Sequence, residues 1–426
     1  MTITNNPATL SLKIEDYIIS EAGRCVMCGL CLPHCPTYTQ TRNENESPRG
    51  RIAIARALAE KNLPVSETLF RHLDQCILCR ACERACPSGV SYGHLMDKTR
   101  QLLHENGMNK SNKLMQKLTT EKKMMKTLGT GLWFYQQSGL HWLANKTGIG
   151  KINALLPEKL SIKKWQSFYP SLSPERGRVA LFTGCIASIT DQETLHSTIA
   201  LLNLIGFSVN VPEQQGCCGA LHLHNGDSQQ AKEMAQNNIQ VFAELDINTI
   251  ITTATGCSTT LLDYSTLINS PSADTFSMQI KDINQFLSEI DWQQEIKFLP
   301  LEKNILIHEP CSQKNIKIPH GKIQQLLGQI PSININTLPE KMQCCGAGGD
   351  YMMKYPDMAA QLREPVIAYL QQHPTDILVT SNIGCAMHIR AGIQQAGLQT
   401  EILHPVTLLA KQLAETRDNP VAQAVS

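Results

Sequence analysis

Two short cysteine runs constrain this chain of 426 residues more than any other feature. Both follow the pattern C-x2-C-x2-C-x3-C-P, in which three thiolates bind one 4Fe–4S cluster and the fourth binds a second cluster. By that rule the ligands of the first cluster are Cys25, Cys28, Cys31 and Cys86. The ligands of the second cluster are Cys35, Cys76, Cys79 and Cys82. The proline that ends each run turns the chain away from the last ligand and removes a backbone N–H.

The alternative for these runs is a pair of structural zinc sites. Zinc takes four ligands in paired C-x2-C knuckles, and such a knuckle has no place for a third cysteine at the same spacing. The pattern therefore favours iron–sulfur clusters.

Composition indicates a reducing compartment and argues against several classes of function. The chain has 16 cysteines, and residues 1–11 are polar and lack the apolar core of an export signal. Thiols in that setting bind metal more often than they form disulfides. The formal net charge is +1, so the chain as a whole has no strong positive field that would attract nucleic acid or an acidic substrate. No stretch reaches the roughly 18 apolar residues of a membrane span, so we expect a cytoplasmic protein, peripheral to the inner membrane at most.

The N-terminal part, residues 1–103, is predicted to be a helical ferredoxin-type domain with two clusters. An amphipathic pattern over residues 12–22 predicts a short helix before the first run. Between the runs, the alanine-rich residues 52–61 predict a second helix. Arginines in this domain either tune the clusters and contact a partner, or are solvated helix charges. They are Arg49, Arg51 and Arg80.

Residues 104–176 are predicted to form a helical connector. From Asn109 to Leu128, lysines alternate with leucine and methionine, which predicts one basic amphipathic helix. The lysines are Lys110, Lys113, Lys117, Lys122, Lys123 and Lys126. Such a helix either lies on an anionic membrane surface or packs on its own domain, and both interpretations remain open.

After Arg178 the chain repeats itself at an offset of 126 to 128 residues. Each copy alternates β-rich apolar runs with helical patterns such as 190–204 and 357–370. Alternating strands and helices are typical of a parallel α/β sheet. We therefore expect two pseudo-symmetric domains that face one another, over residues 177–300 and 301–426.

Each repeat contains four cysteines, two of them adjacent and followed by glycine. The first repeat has Cys185, Cys217, Cys218 and Cys257, and the second has Cys311, Cys344, Cys345 and Cys385. The first and last of each set end β-rich runs, where parallel sheets bind ligands. The glycine lets the backbone approach a bulky ligand. Three interpretations remain open: a further iron–sulfur cluster, a structural zinc ion, or a redox-active dithiol.

With these motifs the chain resembles the iron–sulfur subunits of bacterial glycolate oxidase (glycolate dehydrogenase), along essentially its whole length. The motifs that carry the resemblance are the two runs and the segments Ser47–Arg51, Cys86–Tyr92, Gly216–Ala220, Cys344–Gly346 and Val379–Cys385. The repeats are similar to the cysteine-rich CCG domains of heterodisulfide reductase. The resemblance implies an α+β multidomain protein, in which a mostly helical two-cluster ferredoxin domain precedes two pseudo-symmetric α/β CCG domains.

The repeats depart from that wider family at their last cysteine. There the last element is C-x-x-C, which brings the ligands of a non-cubane cluster to five. Here Thr260 follows Cys257 at that spacing and His388 follows Cys385, so a fifth thiolate is absent and disulfide-cleaving chemistry is in doubt. His388 is either a replacement ligand or a structural histidine. Other histidines near repeat cysteines are equally ambiguous: His222, His224 and His308.

The motifs predict a carrier of single electrons rather than a catalytic chain. No G-x-G-x-x-G follows a predicted strand, and no nucleophile–base signature is present. We therefore expect no catalytic residue here, and a flavin on another chain performs the two-electron oxidation. The resemblance implies that this partner is the FAD-containing part of glycolate oxidase, which oxidises glycolate to glyoxylate. Electrons then pass to a quinone or another acceptor.

Alternatives remain within this class and outside it. Two neighbours in the same class stay open: the iron–sulfur subunit of anaerobic glycerol-3-phosphate dehydrogenase, and one that serves an enzyme of D-lactate or another 2-hydroxy acid. The alternative from another class is a non-catalytic redox sensor or assembly scaffold, in which zinc stiffens the repeats.

Overall fold

The computed structural model describes residues 13–108, 113–138, 154–157, 160, 165–292, 296–315, 321–339, 341 and 344–413. Contacts within the chain define two compact units. The first contains residues 1–111 and 222–228, and the second contains residues 112–221 and 229–426. The domain boundaries expected near residues 103, 176 and 300 stay predictions.

The first unit is mostly helical, as the cysteine runs predicted. Its helices are α1 (Ile14–Gly23), α2 (Pro36–Thr41), α3 (Pro48–Ala59), α4 (Glu67–Asp74), α5 (Ala81–Arg84) and α6 (Tyr92–Glu105). Helix α3 begins where Ser47 Oγ accepts a hydrogen bond from the Gly50 N–H at 3.0 Å, with Pro48 in the first turn. Helices α1, α3 and α6 pack together around fully buried Ile18 and Leu95. This core supports both cysteine loops.

The basic segment of the second unit forms two helices, α7 (Lys113–Thr120) and α8 (Lys122–Gln137). The prediction of one helix from Asn109 to Leu128 is therefore wrong in its continuity. The helices separate at Glu121, whose backbone is extended at φ −95° and ψ 100°. Two threonines, which are poor helix formers, precede this break.

The start of that predicted helix, at Asn109 and Lys110, lies outside the described residues. In the described part of the chain, no helix is both long and apolar enough to cross a membrane. Contact of the basic segment with a membrane surface stays a prediction.

Each repeat is built around a mainly parallel sheet, as predicted. The first sheet has the order β1-β3-β2-β4-β5, with β1 (Phe168–Tyr169), β2 (Gly177–Phe182), β3 (Phe207–Asn210), β4 (Ile250–Thr252) and β5 (Ile280–Asp282). The second has the order β7-β6-β8-β9, with β6 (Asn304–His308), β7 (Asn334–Thr337), β8 (Ile377–Thr380) and β9 (Glu401–Leu403). Only β1 runs antiparallel to its neighbour among these strands.

Helices alternate with the strands in both repeats. Those of the first are α9 (Ala187–Thr190), α10 (Gln192–Leu204), α11 (Ala220–His224), α12 (Ser228–Ala243), α13 (Thr255–Leu262), α14 (Tyr264–Ile268), α15 (Pro271–Gln279) and α16 (Ile283–Glu289). Those of the second are α17 (Cys311–Asn315), α18 (Lys322–Leu327), α19 (Tyr351–Lys354), α20 (Pro356–Gln372), α21 (Ile383–Gln395) and α22 (Pro405–Lys411). The helices predicted at 190–204 and 357–370 correspond to α10 and α20.

The two repeats share one apolar core. Helices α10 and α22 pack on each other inside it, and Thr194 Oγ1 lies 3.0 Å from Thr407 Oγ1. Successive side chains of a strand point to opposite faces of its sheet. In β2, Leu181 faces the shared core, whereas Phe182 faces a separate core that contains Cys217 and Cys218. The second sheet is divided in the same way, with Cys345 and Cys385 in its separate core.

Candidate metal centres

The two cysteine loops of the first unit adopt matching backbones. Met27 and Leu78, each just before the second cysteine of its run, both have φ 55°. The residue after that cysteine also has positive φ, 83° at Gly29 and 56° at Arg80. Non-glycine residues in this left-handed region carry strain that is typical of ligand loops. The shared cysteine spacing thus corresponds to a shared loop conformation.

The first loop lines a cavity together with the end of the second run. Cys25, Cys28 and Cys31 share that cavity with Cys86, and Cys82 also lines it. The structure therefore brings together the four cysteines that the sequence assigns to the first cluster. Cys28 is exposed, so this cavity lies near the surface.

The second predicted ligand set is more deeply placed. Cys35, Cys76 and Cys82 are 7%, 8% and 7% exposed, and Cys79 is half-buried. Burial, and then the nearby thiolates of Cys79, Cys76 and Cys35, raise the pKa of Cys82 well above its ordinary value. Cys82 therefore lies near the other three predicted ligands of this set, and also near Cys31 of the first set.

Buried polar groups surround the second set. Arg51 is 0% exposed, and its guanidinium pairs with the Glu46 carboxylate at 2.5 Å. It also donates to Thr37 Oγ1 at 3.0 Å, and that hydroxyl lies 3.3 Å from Cys35 Sγ. The other Glu46 oxygen lies 2.5 Å from His72 Nδ1. A charged pair is thus held one hydroxyl away from a predicted ligand.

The three arginines singled out from the sequence have different environments. The interpretation as a solvated helix charge is wrong for Arg51, which is fully buried. Arg49 pairs with Glu44 at 2.6 Å and donates to the Met27 carbonyl at 3.1 Å, so it supports the first loop. Arg80 pairs with Glu83 at 2.8 Å.

The first repeat brings its four cysteines into mutual contact. Hydrogen bonds with the thiols of Cys217 and Cys257, together with burial, raise the pKa of Cys218 well above its ordinary value. The Cys185 thiol is also hydrogen-bonded to Cys217. Two side chains hold the backbone of the adjacent pair. Asn238 donates to the Cys217 carbonyl at 2.9 Å and Tyr264 to the Cys218 carbonyl at 3.0 Å.

The second repeat brings Cys345 and Cys385 into direct contact, and different residues support them. Cys345 Sγ lies 2.6 Å from Cys385 Sγ, and Asn382 donates to Cys385 Sγ at 3.4 Å. Cys311 opens α17 just after β6, and Cys344 precedes Cys345 in the chain. Gly346 has φ 70°, and a Cβ there would lie 2.2 Å from the Ala359 carbonyl oxygen. Only glycine allows the turn to approach α20 so closely.

The carboxyl ends of neighbouring strands position these sites, as predicted. In the first repeat, β2 and β4 end together at Phe182 and Thr252, and Cys185 and Cys257 follow within a few residues. In the second repeat, β6 and β8 end together at His308 and Thr380, followed by Cys311 and Cys385.

The two repeats also meet beside these cysteines. The Thr255 N–H donates to the Ser381 carbonyl at 3.0 Å, and Thr255 Oγ1 lies 2.7 Å from Ser312 Oγ. A Cβ on Gly256 would lie 3.2 Å from Asn382 Oδ1. The helices that carry Cys257 and Cys385 therefore begin in contact, which agrees with two domains that face one another.

The histidines left open by the sequence all have hydrogen-bond partners. His308 Nδ1 lies 2.9 Å from Thr380 Oγ1, and His224 Nδ1 lies 2.9 Å from Asp97 Oδ1. His222 Nδ1 lies 3.2 Å from Asp227. His388 Nδ1 lies 2.6 Å from the Cys345 carbonyl oxygen. Of these, His388 is bonded to the backbone of a predicted ligand.

Grouped thiols of this kind suit a soft metal centre. A hydrogen bond with Cys385 and then burial raise the pKa of Cys345 well above its ordinary value, so this thiol holds its proton without a cation. Coordination to metal deprotonates a thiol outright. Sulfur-only sets suit iron–sulfur clusters and zinc alike. Within the described residues, no three His, Cys, Asp or Glu side chains converge as ligands of a single ion.

Comparison with known proteins identifies the family. A "4Fe-4S dicluster domain" model matches residues 21–90, and a "Cysteine-rich domain" (CCG) model matches 179–262 and 305–390. A "Glycolate oxidase iron-sulfur subunit, linker region" model matches 112–162. A "Probable glycolate oxidase iron-sulfur subunit" of Bacillus subtilis is 32% identical, over 90% of this chain and 91% of that protein. The chain belongs to the glycolate oxidase iron–sulfur subunit family.

One further relative agrees with that assignment, and one solved structure shares the fold. The "Glycolate oxidase iron-sulfur subunit" of Escherichia coli is 27% identical, over 91% of this chain and 93% of that protein. The crystal structure of a hypothetical protein from Helicobacter pylori matches with a TM-score of 0.53 at 10% identity, over 96% of this chain and 73% of that one. The second likeness shows a shared fold alone. The resemblance inferred from the cysteine motifs, and the fold class it implied, are both confirmed.

Apart from Tyr92, which ends the Cys86–Tyr92 motif, the supporting residues of this family member had no sequence signal. Arg100 is buried and donates to the Cys76 carbonyl at 2.6 Å. Tyr92 Oη lies 3.6 Å from Cys76 Sγ. Glu46 and His72 complete the network around Arg51. Except for Tyr92, these residues form hydrogen bonds with backbone groups or with one another. No short sequence pattern predicts such contacts.

Proposed function

We propose that this chain carries electrons from a flavoprotein partner that oxidises glycolate to glyoxylate, onward to a quinone or another acceptor. Glycolate loses two electrons and two protons at the partner, and a quinone takes up two of each to become a quinol. When bound, the 4Fe–4S clusters supply one-electron redox chemistry, which splits the pair of electrons. The eight cysteines of the first unit are the proposed ligands.

The shared cavity of the two cysteine runs is the observation that carries this proposal. Three cysteines of the first run line one cavity with the last cysteine of the second run. A chain with two neighbouring clusters needs this exchange of ligands, whereas two separate zinc knuckles do not.

The first loop is also the proposed contact with the flavoprotein partner. Val26, Met27 and Leu30 are 69%, 48% and 57% exposed, and the exposed thiol Cys28 lies among them. The corresponding residues of the second loop, from Ile77 to Ala81, are half-buried. Apolar side chains grouped on a surface mark interaction sites. A redox partner that covers this loop would bring its own cofactor close to the first cluster.

Substitution of one ligand tests the relay directly. We expect Cys28→Ser to reduce glycolate-dependent quinone reduction to background, because a serine oxygen is a poor ligand for iron in a thiolate-bound cluster. The partner's flavin should still be reduced by glycolate, because oxidation takes place on the partner. Stopped-flow absorbance of the co-purified complex, without oxygen, separates the two steps.

A matched control shows whether the effect depends on loss of a cluster ligand or on any change in the same cavity. Ser88 lines the same cavity without being a predicted ligand, and Ser88→Ala should leave both steps intact. Normal quinone reduction by the Cys28→Ser complex would show that the electrons bypass this chain.

A further inference from the structure

We propose that Nε2 of His388 is a ligand of the metal centre in the second repeat, beside the cysteines of that repeat. This inference rests on the proposal that the repeats hold a metal centre. It adds a nitrogen ligand to a set that has only sulfur in the first repeat.

The position of His388 on α21 places it beside a predicted ligand. His388 follows Cys385 by three residues on this helix, so both side chains lie on one face. The helix begins beside the turn that holds Cys345, whose sulfur atom is 2.6 Å from that of Cys385. His388 is 5% exposed, so its ring is buried within this group.

The hydrogen bond of the ring determines which nitrogen is available to a metal. His388 Nδ1 lies 2.6 Å from the Cys345 carbonyl oxygen, which can only accept a hydrogen bond. Nδ1 therefore carries the proton and Nε2 carries a lone pair. Within the described residues, Nε2 has no hydrogen-bond partner. That lone pair is therefore available to bind a metal ion.

The ring carbon between the two nitrogens of His388 faces the cysteine turn. A Cβ on Gly346 would lie 3.2 Å from His388 Cε1, the carbon bonded to both ring nitrogens. Metal-bound histidines commonly donate their second N–H to a backbone carbonyl, which fixes the tautomer and the ring orientation. His388 has that arrangement, and the carbonyl belongs to a proposed ligand.

Comparison of the repeats shows that fixing the turn does not require an imidazole. In the first repeat, the Tyr264 hydroxyl holds the Cys218 carbonyl at 3.0 Å. Thr260 stands where His388 stands in the second repeat, and its hydroxyl lies 3.5 Å from the Gly256 carbonyl. The Tyr264 hydroxyl is thus sufficient to hold the cysteine turn of the first repeat. Holding the turn uses only Nδ1 of the His388 imidazole, so Nε2 remains as a second nitrogen that can bind a metal.

Two substitutions separate a ligand from a purely structural histidine. His388→Asn keeps an N–H donor near the position of Nδ1 but removes the second nitrogen. His388→Cys provides a metal-binding thiolate but cannot donate strongly to the Cys345 carbonyl. If His388 is a ligand, the chain should lose the metal of one centre in His388→Asn and keep it in His388→Cys. A purely structural histidine gives the reverse order, which would overturn the inference.

The direct measurement detects the bound nitrogen itself. The whole chain is purified without oxygen, with and without 15N-histidine, and its iron and zinc contents are measured. Pulsed EPR after dithionite reduction should show a histidine-nitrogen coupling that changes on labelling and is absent in His388→Asn. If zinc fills the centre, X-ray absorption at the zinc edge should show one imidazole. His308→Asn is the control and should keep either signal.

The outcomes also separate this inference from the proposed function. A metal centre in the second repeat without a nitrogen signal refutes His388 as a ligand and leaves the relay intact. Metal for only two clusters refutes both the repeat centre and its histidine ligand. Because dithionite replaces glycolate in this measurement, a failure of glycolate to deliver electrons does not affect the result.

Discussion

At the scale of single residues, a buried arginine of the first unit lies one hydroxyl away from a cysteine of the deeper set. Arg51 bridges the Glu46 carboxylate, the Thr37 hydroxyl and the His72 carbonyl. Thr37 in turn contacts the Cys35 sulfur atom. Removal of one partner of a buried ion pair leaves the other charge desolvated and unpaired. The pair therefore contributes to the integrity of this site.

We expect Arg51→Met to lower the free energy of unfolding by about 3 to 5 kcal/mol, because Glu46 then remains buried without its cation. Arg56 on the same helix provides the control, since its pair with Glu60 is 52% and 29% exposed. Arg56→Met should cost under about 1 kcal/mol. Anaerobic urea unfolding followed by circular dichroism compares the two variants. Equal losses would show that the buried pair of Arg51 and Glu46 contributes no more to stability than the exposed pair of Arg56 and Glu60.

The sequence pattern predicts the cysteine ligands but not most of the residues that surround them. The ligand spacing is local, so all eight residues of the two runs could be assigned from the pattern alone. Arg51 could be named, yet its burial depends on Glu46 and on His72 from another helix. Arg100 holds a carbonyl near Cys76 from a distant position in the sequence. Such contacts arise only from tertiary packing, so no sequence pattern reveals them.

At the scale of elements, the two cysteine loops share a backbone and differ in exposure. Positive φ values occur at matching positions in both loops. The first loop, Cys25–Cys31, presents apolar side chains to the surface, whereas the second, Cys76–Cys82, is largely covered. The sequence showed their identical spacing, but it contained no signal that only the first would be exposed.

A charge in the first loop tests its proposed role as the partner contact. We expect Leu30→Asp to weaken binding of the flavoprotein partner and to slow glycolate-driven cluster reduction, because an acidic group disrupts an apolar contact. Leu63 is 43% exposed in the same unit, so Leu63→Asp is the matched control. Dithionite reduction should remain normal in both, which confirms intact clusters. If both variants bind the partner equally well, the contact lies elsewhere.

The other elements show where periodicity sufficed and where it failed. The strand–helix alternation predicted parallel sheets and the cysteines at their carboxyl ends, because both follow from local patterns. The basic segment was predicted as one helix but divides at Glu121, where the choice between a continuous and a broken helix depends on packing as well as composition.

At the scale of the whole chain, the sequence repeat corresponds to two similar α/β folds. The repeats share a core and meet beside Cys257 and Cys385. Their cysteine turns are nonetheless held by different residues, Tyr264 in the first and His388 in the second. The sequence repeat predicted the common fold, whereas this difference required the structure.

The central claim is that electrons from glycolate reach the clusters bound by this chain. The most direct measurement adds glycolate, without oxygen, to the chain co-purified with its flavoprotein partner, and follows visible absorbance and the EPR of reduced clusters. We expect bleaching and the appearance of reduced-cluster signals. Reduction by D-lactate or glycerol 3-phosphate alone would keep the relay and change the substrate. No reduction by any of the three, with dithionite still effective, would contradict the relay.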